Sequence, residues 1–185
     1  MEPPGPLNPL KRNIELKCRC PDLEAAEAAA RSAGAALLDR ERQHDTYFRV
    51  PHGRLKLRRR WGGGGQPGGT QLIWYQRTDE SRPRPSDYRL VPVADGEGVL
   101  AALSGALGVA AEVAKERAIW FADEVRIHLD RVEGLGSFLE FEAIVGPDGD
   151  APARDRLDRL ARALGVTGEN ILRASYGDLV LGKGS

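Results

Sequence analysis

The sequence predicts an α+β protein whose sheet is largely antiparallel. Three observations carry that expectation. Short alternating segments outnumber helical ones, they come in runs of several strands between helices, and glycine- and proline-containing turns separate them. A parallel, doubly wound sheet would instead alternate one strand with one helix. With about eight strands, closing the sheet into a barrel would leave no edge exposed.

The elements follow in order. "RNIELKCRC" (12–20) alternates as a strand. "PDLEAAEAAARSAGA" has Pro21 and Asp22 as a start, alanine-rich helix formers, and Gly34 as a stop. "HDTYFRV", "GRLKLRRRW", "TQLIWYQRT" and "SDYRLVPV" read as a meander of strands punctuated by "PHG", "GGGGQPGG" and "ESRPRP". "GEGVLAALSGALG" is a second helix, followed by the strands "KERAIWFAD", "EVRIHLDRVE" and "FLEFEAIV". "DAPARDRLDRLARALG" is a third helix, with Asp150 as its cap, Pro152 in the first turn, Leu157, Leu160, Ala161 and Leu164 on one face, and Gly165 as its stop. The tail "NILRASYGDLVL" adds a short helix or ordered coil, anchored by Tyr176.

The length, 185 residues, suits one domain with a sizeable core. Basic and acidic residues balance at 27 each, which argues against a general nucleic-acid binder and leaves anion binding to local clusters. Cys18 and Cys20 point the same way from one strand, about 7 Å apart, too far for a disulfide. A reducing compartment follows. Residues 1–11 read as a disordered start without signal-peptide or anchor character, and no run of eighteen apolar residues occurs. The expectation is a soluble cytoplasmic protein, with residues 12–185 as a single domain.

Charge on the strands carries the functional information. Strand alternation puts Asn13, Glu15, Lys17 and Arg19 on one face, opposite Ile14, Leu16, Cys18 and Cys20. Arg54, Lys56, Arg58 and Arg60 share a face, as do Arg126, His128 and Asp130, and Glu140 with Glu142. Lys115 and Arg117 fall together in "KER". A charged solvent face explains any one of these strands. Their repetition points to a sheet curled with helices outside and its ionic face inside. Such a lining is costly when empty. It suits a polyphosphate held by arginine forks and lysine charges, with Glu and Asp oxygens for Mg2+ or Mn2+.

The segments "NIELK", "HDTYF", "LKLR", "KERAIWF", "RIHLDRVEGLGSFLEFE" and the terminal "SY", in this order, resemble the CYTH superfamily of triphosphate tunnel metalloenzymes, especially its class IV adenylyl cyclase-like group. The resemblance runs from about Arg12 to Leu181. It implies an eight-stranded antiparallel barrel, flattened into a tunnel and wrapped by helices. A triphosphate would lie against basic residues, and metal ions would bridge it to acidic ones. By matching motif, Glu15 and Glu140 are expected metal ligands, with Asp130 and Glu142 as further acidic candidates. Lys17, Lys56, Arg58, Arg84, Lys115, Arg117 and Arg126 are expected to hold the triphosphate. Glu15, Lys17, Lys115 and Glu140 are the expected catalytic set, and Asp45 matches an acidic position after the first helix.

Two departures stand out. The entry motif is commonly Glu-x-Glu-x-Lys, and its first position here is Asn13, which offers an oxygen without charge. Gln76 is read at a position where a phosphate-binding lysine is common, with Arg77 adjacent. The resemblance implies a metal-dependent enzyme acting on a nucleoside, inorganic or organic triphosphate. It would form cyclic AMP and pyrophosphate from ATP, or hydrolyse a phosphoanhydride. The alternative is a non-catalytic polyphosphate, nucleotide or RNA binder; a scaffold role ranks third. No membrane partner is expected, nucleic acid is disfavoured, and a homodimer is left open.

Other signals have plainer readings. "GGGGQPGG" lacks the Gly-Lys-Ser/Thr ending of a P-loop and reads as a flexible connection. His44, His52 and His128 do not take zinc-ligand spacing with the cysteines, and His128 reads as a structural histidine. Tyr47, Phe48 and Trp74 read as packing residues before any nucleotide-base contact. "EGLGSF" is a tight turn needing glycine for its backbone.

Overall fold

The computed structural model describes residues 9–182. Eight strands are present: β1 (Lys11–Arg19), β2 (Ala36–Phe48), β3 (Arg54–Gly62), β4 (Pro67–Arg77), β5 (Arg84–Val93), β6 (Val109–Ala122), β7 (Val125–Val132) and β8 (Gly136–Ile144). Four α-helices accompany them: α1 (Leu23–Ser32), α2 (Gly96–Leu107), α3 (Asp150–Ala163) and α4 (Tyr176–Val180). The strands close into a barrel in the order β1-β5-β4-β3-β2-β6-β7-β8, every pair antiparallel. The expected α+β barrel is thus the observed architecture. Most of the segment expected to be a disordered start, residues 1–8, lies outside the described residues; Lys11 already belongs to β1.

Period-two alternation sorts the strands into two surfaces. Ile14, Leu16, Ile127, Leu129 and Phe141 point outward and form one buried apolar cluster with Ala26 and Ala30 of α1 and Ala153, Leu157, Leu160 and Ala161 of α3. The spacing of Leu157, Leu160 and Ala161 gives α3 the stripe that covers β1 and β8. Asp22 caps α1 by accepting from the Ala25 N–H at 2.9 Å. Asp150, expected as the α3 cap, is instead its first residue: Gly149 occupies the cap position and no side chain bonds there.

Strand ends differ from the sequence reading where alternation is weak. β2 begins at Ala36 rather than His44, because "ALLDRERQ" exposes Leu37 and Leu38 and carries no clear apolar face. β6 begins at Val109 and pairs along nearly all of β2. β5 begins at Arg84, inside the segment read as a connection, because Arg84 pairs across to Glu15.

The C-terminal segment closes one end of the barrel. Ile171 bridges Cys18, and the Leu172 N–H donates to the Lys17 carbonyl at 2.8 Å. Ser175 and Asp178 form a reciprocal capping box at the start of α4. Gly177 has no side chain because a Cβ there would lie 3.2 Å from the Tyr47 ring. Tyr176 packs on Phe138, ring centroids 5.1 Å apart, within a second apolar cluster that includes Tyr47, Ile73, Tyr75 and Val113. Among the described residues no helix is long and apolar enough to cross a membrane.

Leu157 is fully enclosed between α3 and the barrel wall. Leu157→Ala is expected to cost roughly 2–5 kcal/mol in urea unfolding, while leaving the residues inside the barrel in place. A loss below about 1 kcal/mol would contradict this account of the outer core.

Candidate triphosphate site

The inward faces enclose a cavity of about 270 Å3. Nine lysines and arginines line it against four glutamates, so its wall carries a positive surplus although the chain is neutral overall. Strand register creates the pairing. Lys17 lies opposite Glu140, Glu15 opposite Glu142 and Arg84, Asp45 opposite Arg58, Arg117 opposite Asp130, and Arg126 opposite Glu142.

Asp45, with no exposed surface, is the hub of one side. It accepts two bonds from Arg58 at 2.7 Å, one from Lys56 at 2.9 Å and one from Lys115 at 3.2 Å. Burial alone would push its carboxyl up, but Arg58, Lys115 and Lys56 hold it well below the usual carboxylate range. The lysines feel the opposite balance. Burial, reinforced by Arg58, lowers Lys56 to about 8, and burial also lowers Lys115 despite Asp45. One carboxylate therefore does not saturate three cations.

The facing wall carries the acids. Glu140 joins Lys17 at 2.7 Å, Arg117 at 2.6 Å and the His128 Nδ1 at 3.4 Å. Against burial, Lys17 and Arg117 keep its carboxyl well below its ordinary value. Glu142 accepts from Arg126 at 3.0 Å. With its amide oxygen turned inward, Asn13 accepts from the same guanidinium at 3.1 Å. Glu15 meets Arg77 at 2.9 Å and Arg84 at 3.4 Å, yet burial, aided by the charge of Glu140, raises its pKa.

Placement of the expected residues is uneven. Glu15, Lys17, Lys56, Arg58, Lys115, Arg117, Arg126, Glu140 and Glu142 all line the cavity. Asp130, expected among the metal ligands, is fully buried outside the lining, with Arg117 on both oxygens (2.7 and 2.5 Å) and the Tyr176 hydroxyl donating at 2.7 Å. Arg84 stands behind Glu15 and donates to the Leu172 carbonyl at 3.0 Å, also outside the lining. Gln76 is corrected outright: it is exposed on the outer face, and Arg77 is the inward residue. Continuing the alternation Ile73, Tyr75, Arg77 would have found it, since a one-residue slip exchanges faces.

Other lining residues escaped the sequence reading. Glu41, Gln43 and Gln71 lie in stretches without a repeated ionic pattern. Tyr176 reaches the site from the far end of the chain; its ring centroid lies 3.6 Å from the Lys17 ammonium. Cys18 and Cys20 are free and buried in the outer core, as their spacing predicts. Tyr47 and Phe48 are buried packing residues, and Trp74 lies on the outer face with its indole N–H donating to the His52 carbonyl.

His128, Glu140 and Glu142 each offer a ligand atom, and these atoms lie within 4.8 Å of one another. Two carboxylates and an imidazole fit a divalent cation, and Glu15 stands opposite Glu142 on the adjacent strand.

The comparisons with known proteins agree with this geometry. Residues 11–176 match the CYTH domain. The chain belongs to the CYTH domain family. No curated protein matches its sequence. Among solved structures, the CYTH chain resembles PH1012 of Pyrococcus horikoshii OT3 (TM-score 0.76, 26% identity, covering 91% of this chain and 99% of that one). It also resembles a candidate adenylate cyclase of Vibrio parahaemolyticus (0.68, 21%, 93% and 98%). A third is HpAC1 of Hippeastrum, described as a candidate adenylyl cyclase with a dominant triphosphatase activity (0.59, 17%, 92% and 96%).

The hub makes a stability prediction. Asp45→Asn leaves three buried cations without their counter-charge and is expected to cost roughly 3–5 kcal/mol in urea unfolding near neutral pH. Because the native pKa of Asp45 is depressed, its contribution is full above the unfolded value of about 3.8 and is lost as pH falls below it. The variant is therefore expected to lose less stability than the parent between pH 5 and about 2.5; an equal slope would refute the hub.

Proposed function

We propose that this CYTH chain binds a triphosphate inside the barrel and, with a divalent cation, hydrolyses its terminal phosphoanhydride. The observation that carries this reading is the cationic side around Asp45 facing the Glu140–Glu142–His128 side across one small cavity. A polyanion entering it meets Lys56, Arg58 and Lys115, relieving mutual repulsion that one buried carboxylate leaves unbalanced, and reaches Lys17 beside Glu140. Phosphoryl transfer needs positioning and charge neutralisation rather than a covalent intermediate, and these groups supply both. A divalent ion held by Glu15, Glu140, Glu142 and His128 would add Lewis-acid charge at the phosphate oxygens.

Water is the nucleophile in this reading. The cavity, about 270 Å3 and open to solvent, has the basic lining to accommodate a polyphosphate. The triphosphatase activity named for the Hippeastrum neighbour supports the same choice. A binder without turnover is the second reading, favoured by Asn13, which removes one carboxylate charge from the metal side.

Incubation with Mg2+ or Mn2+ and inorganic tripolyphosphate, ATP, GTP or thiamine triphosphate is expected to release orthophosphate. Cyclic AMP with pyrophosphate would replace hydrolysis by cyclisation; tight binding without product would establish the binder. Lys115→Ala should weaken tripolyphosphate about 10- to 100-fold in calorimetry, the loss of one charge-assisted contact.

Lys56 makes the binding pH-dependent. Its charged form is favoured by the bound anion and exists below about 8. Tripolyphosphate affinity is expected to fall as pH rises through that value, and Lys56→Arg, which does not titrate there, is expected to remove that component of the pH dependence. Identical profiles for the two proteins would exclude Lys56 from the binding step.

A further inference from the structure

Of the inward residues, His128 has the least explained chemistry. It is buried, lines the cavity on β7 between Arg126 and Asp130, and its hydrogen bonding is limited to Nδ1 against Glu140 at 3.4 Å. Its other ring nitrogen has no partner among the described residues. A buried histidine held for structural reasons ordinarily donates one nitrogen to a firm acceptor and has the other matched as well. Beside it, Glu142 uses Oε2 for Arg126, and its Oε1 has no partner among the described residues. One ligand atom from each of His128, Glu140 and Glu142 lies within 4.8 Å of the others, with the Glu140 oxygens shared with Lys17 and Arg117.

We propose that His128 is a direct metal ligand and gives the divalent site a preference for first-row transition ions over magnesium. The inference deepens the triphosphate reading, because it concerns the cation serving that site, but binding of the ion can be observed without any reaction. Mg2+ is a hard ion that favours all-oxygen coordination and holds its water tightly. Imidazole is a better ligand for transition ions, whose affinity rises from Mn2+ along the series. Asn13 sharpens the difference: where a carboxylate would draw Mg2+ by charge, the amide offers only a neutral oxygen. With that charge removed, the nitrogen donor decides more of the selectivity.

Mn2+ serves as the probe because its paramagnetic signal reports both binding and ligand type. The full chain is titrated with Mn2+ in the absence and presence of inorganic tripolyphosphate, and bound ion is examined for electron spin echo modulation by directly coordinated 14N. The expected result is nitrogen modulation in the parent protein, lost in His128→Gln and His128→Phe. Displacement by Mg2+ should require about a tenfold excess over Mn2+ for the parent, and the ratio should fall to about threefold or less in the variants. Thermal melts establish that each variant is folded. Should neither fold, the parent's nitrogen signal decides alone.

Bound Mn2+ without nitrogen modulation, or an unchanged Mn2+ to Mg2+ ratio in folded variants, overturns the inference. So does failure of Mn2+ to bind under both conditions. Nitrogen modulation with Mn2+ alone, combined with no tripolyphosphate binding by calorimetry, would uphold the ligand and reject the triphosphate reading. Tripolyphosphate binding with an all-oxygen ion would do the reverse.

Discussion

The structure depends on burying charge inside a closed sheet. Asp45 has no exposed surface and is shared by Arg58, Lys56 and Lys115, so three strands meet at one carboxylate. Removing charges from water costs several kcal/mol per ion, and only close pairing offsets it. Pairing here is a product of register, which sets Asp45 against Arg58, Lys17 against Glu140 and Arg117 against Asp130. The helices answer the same requirement from outside. With the inner face ionic, apolar burial has to come largely from the outer face, where α1 and α3 cover Ile14, Leu16, Ile127 and Phe141.

This inversion is why much of the site was legible. A strand with alternating ionic and apolar residues ordinarily presents its ions to water. Recurrence in "RNIELKCRC", "GRLKLRRR", "RIHLD" and "FLEFE" indicated an interior instead, and the faces assigned from spacing put Glu15, Lys17, Lys56, Arg58, Glu140 and Glu142 in one cavity. The CYTH resemblance sharpened the expected barrel to one flattened into a tunnel and the expected polyphosphate to a triphosphate. Spacing says nothing, however, about which acid is already consumed. Asp130 has the same alternation as His128, but its two oxygens are taken by Arg117 and Tyr176, partners 13 and 46 residues away. The β2 start was missed because Leu37 and Leu38 are exposed, and the Gln76 reading failed through a one-residue shift in face.

The two ends of the cavity have different chemistry. Toward the closed end, Tyr47, Tyr75, Phe138 and Tyr176 make an aromatic floor whose hydroxyls and faces meet charged groups: Tyr176 contacts Asp130 and lies beneath Lys17, and Lys56 lies 5.3 Å from the Tyr47 centroid. Toward the other end, Lys11, Glu41 and Arg60 line the wall. The floor fixes the inner ammonium groups by cation–π contact and packing, which holds them apart without adding negative charge. A cationic site can thereby be rigid while its positive surplus persists.

Closure of the barrel also makes its connectivity non-local. β1, the first strand made, completes the ring by pairing with β8, and its Lys17 carbonyl receives the Leu172 N–H from farther along still. Asp45 of β2 has its β6 neighbour, Val113, 68 positions along the chain, so the middle of the ring is also non-local. Such connectivity slows folding, because long loops must close before their contacts contribute. While the ring is open, however, the future interior presents lysine, arginine and glutamate to water. Unclosed sheets with greasy inner faces invite association; the inner face of this one is charged, and its desolvation cost comes with closure.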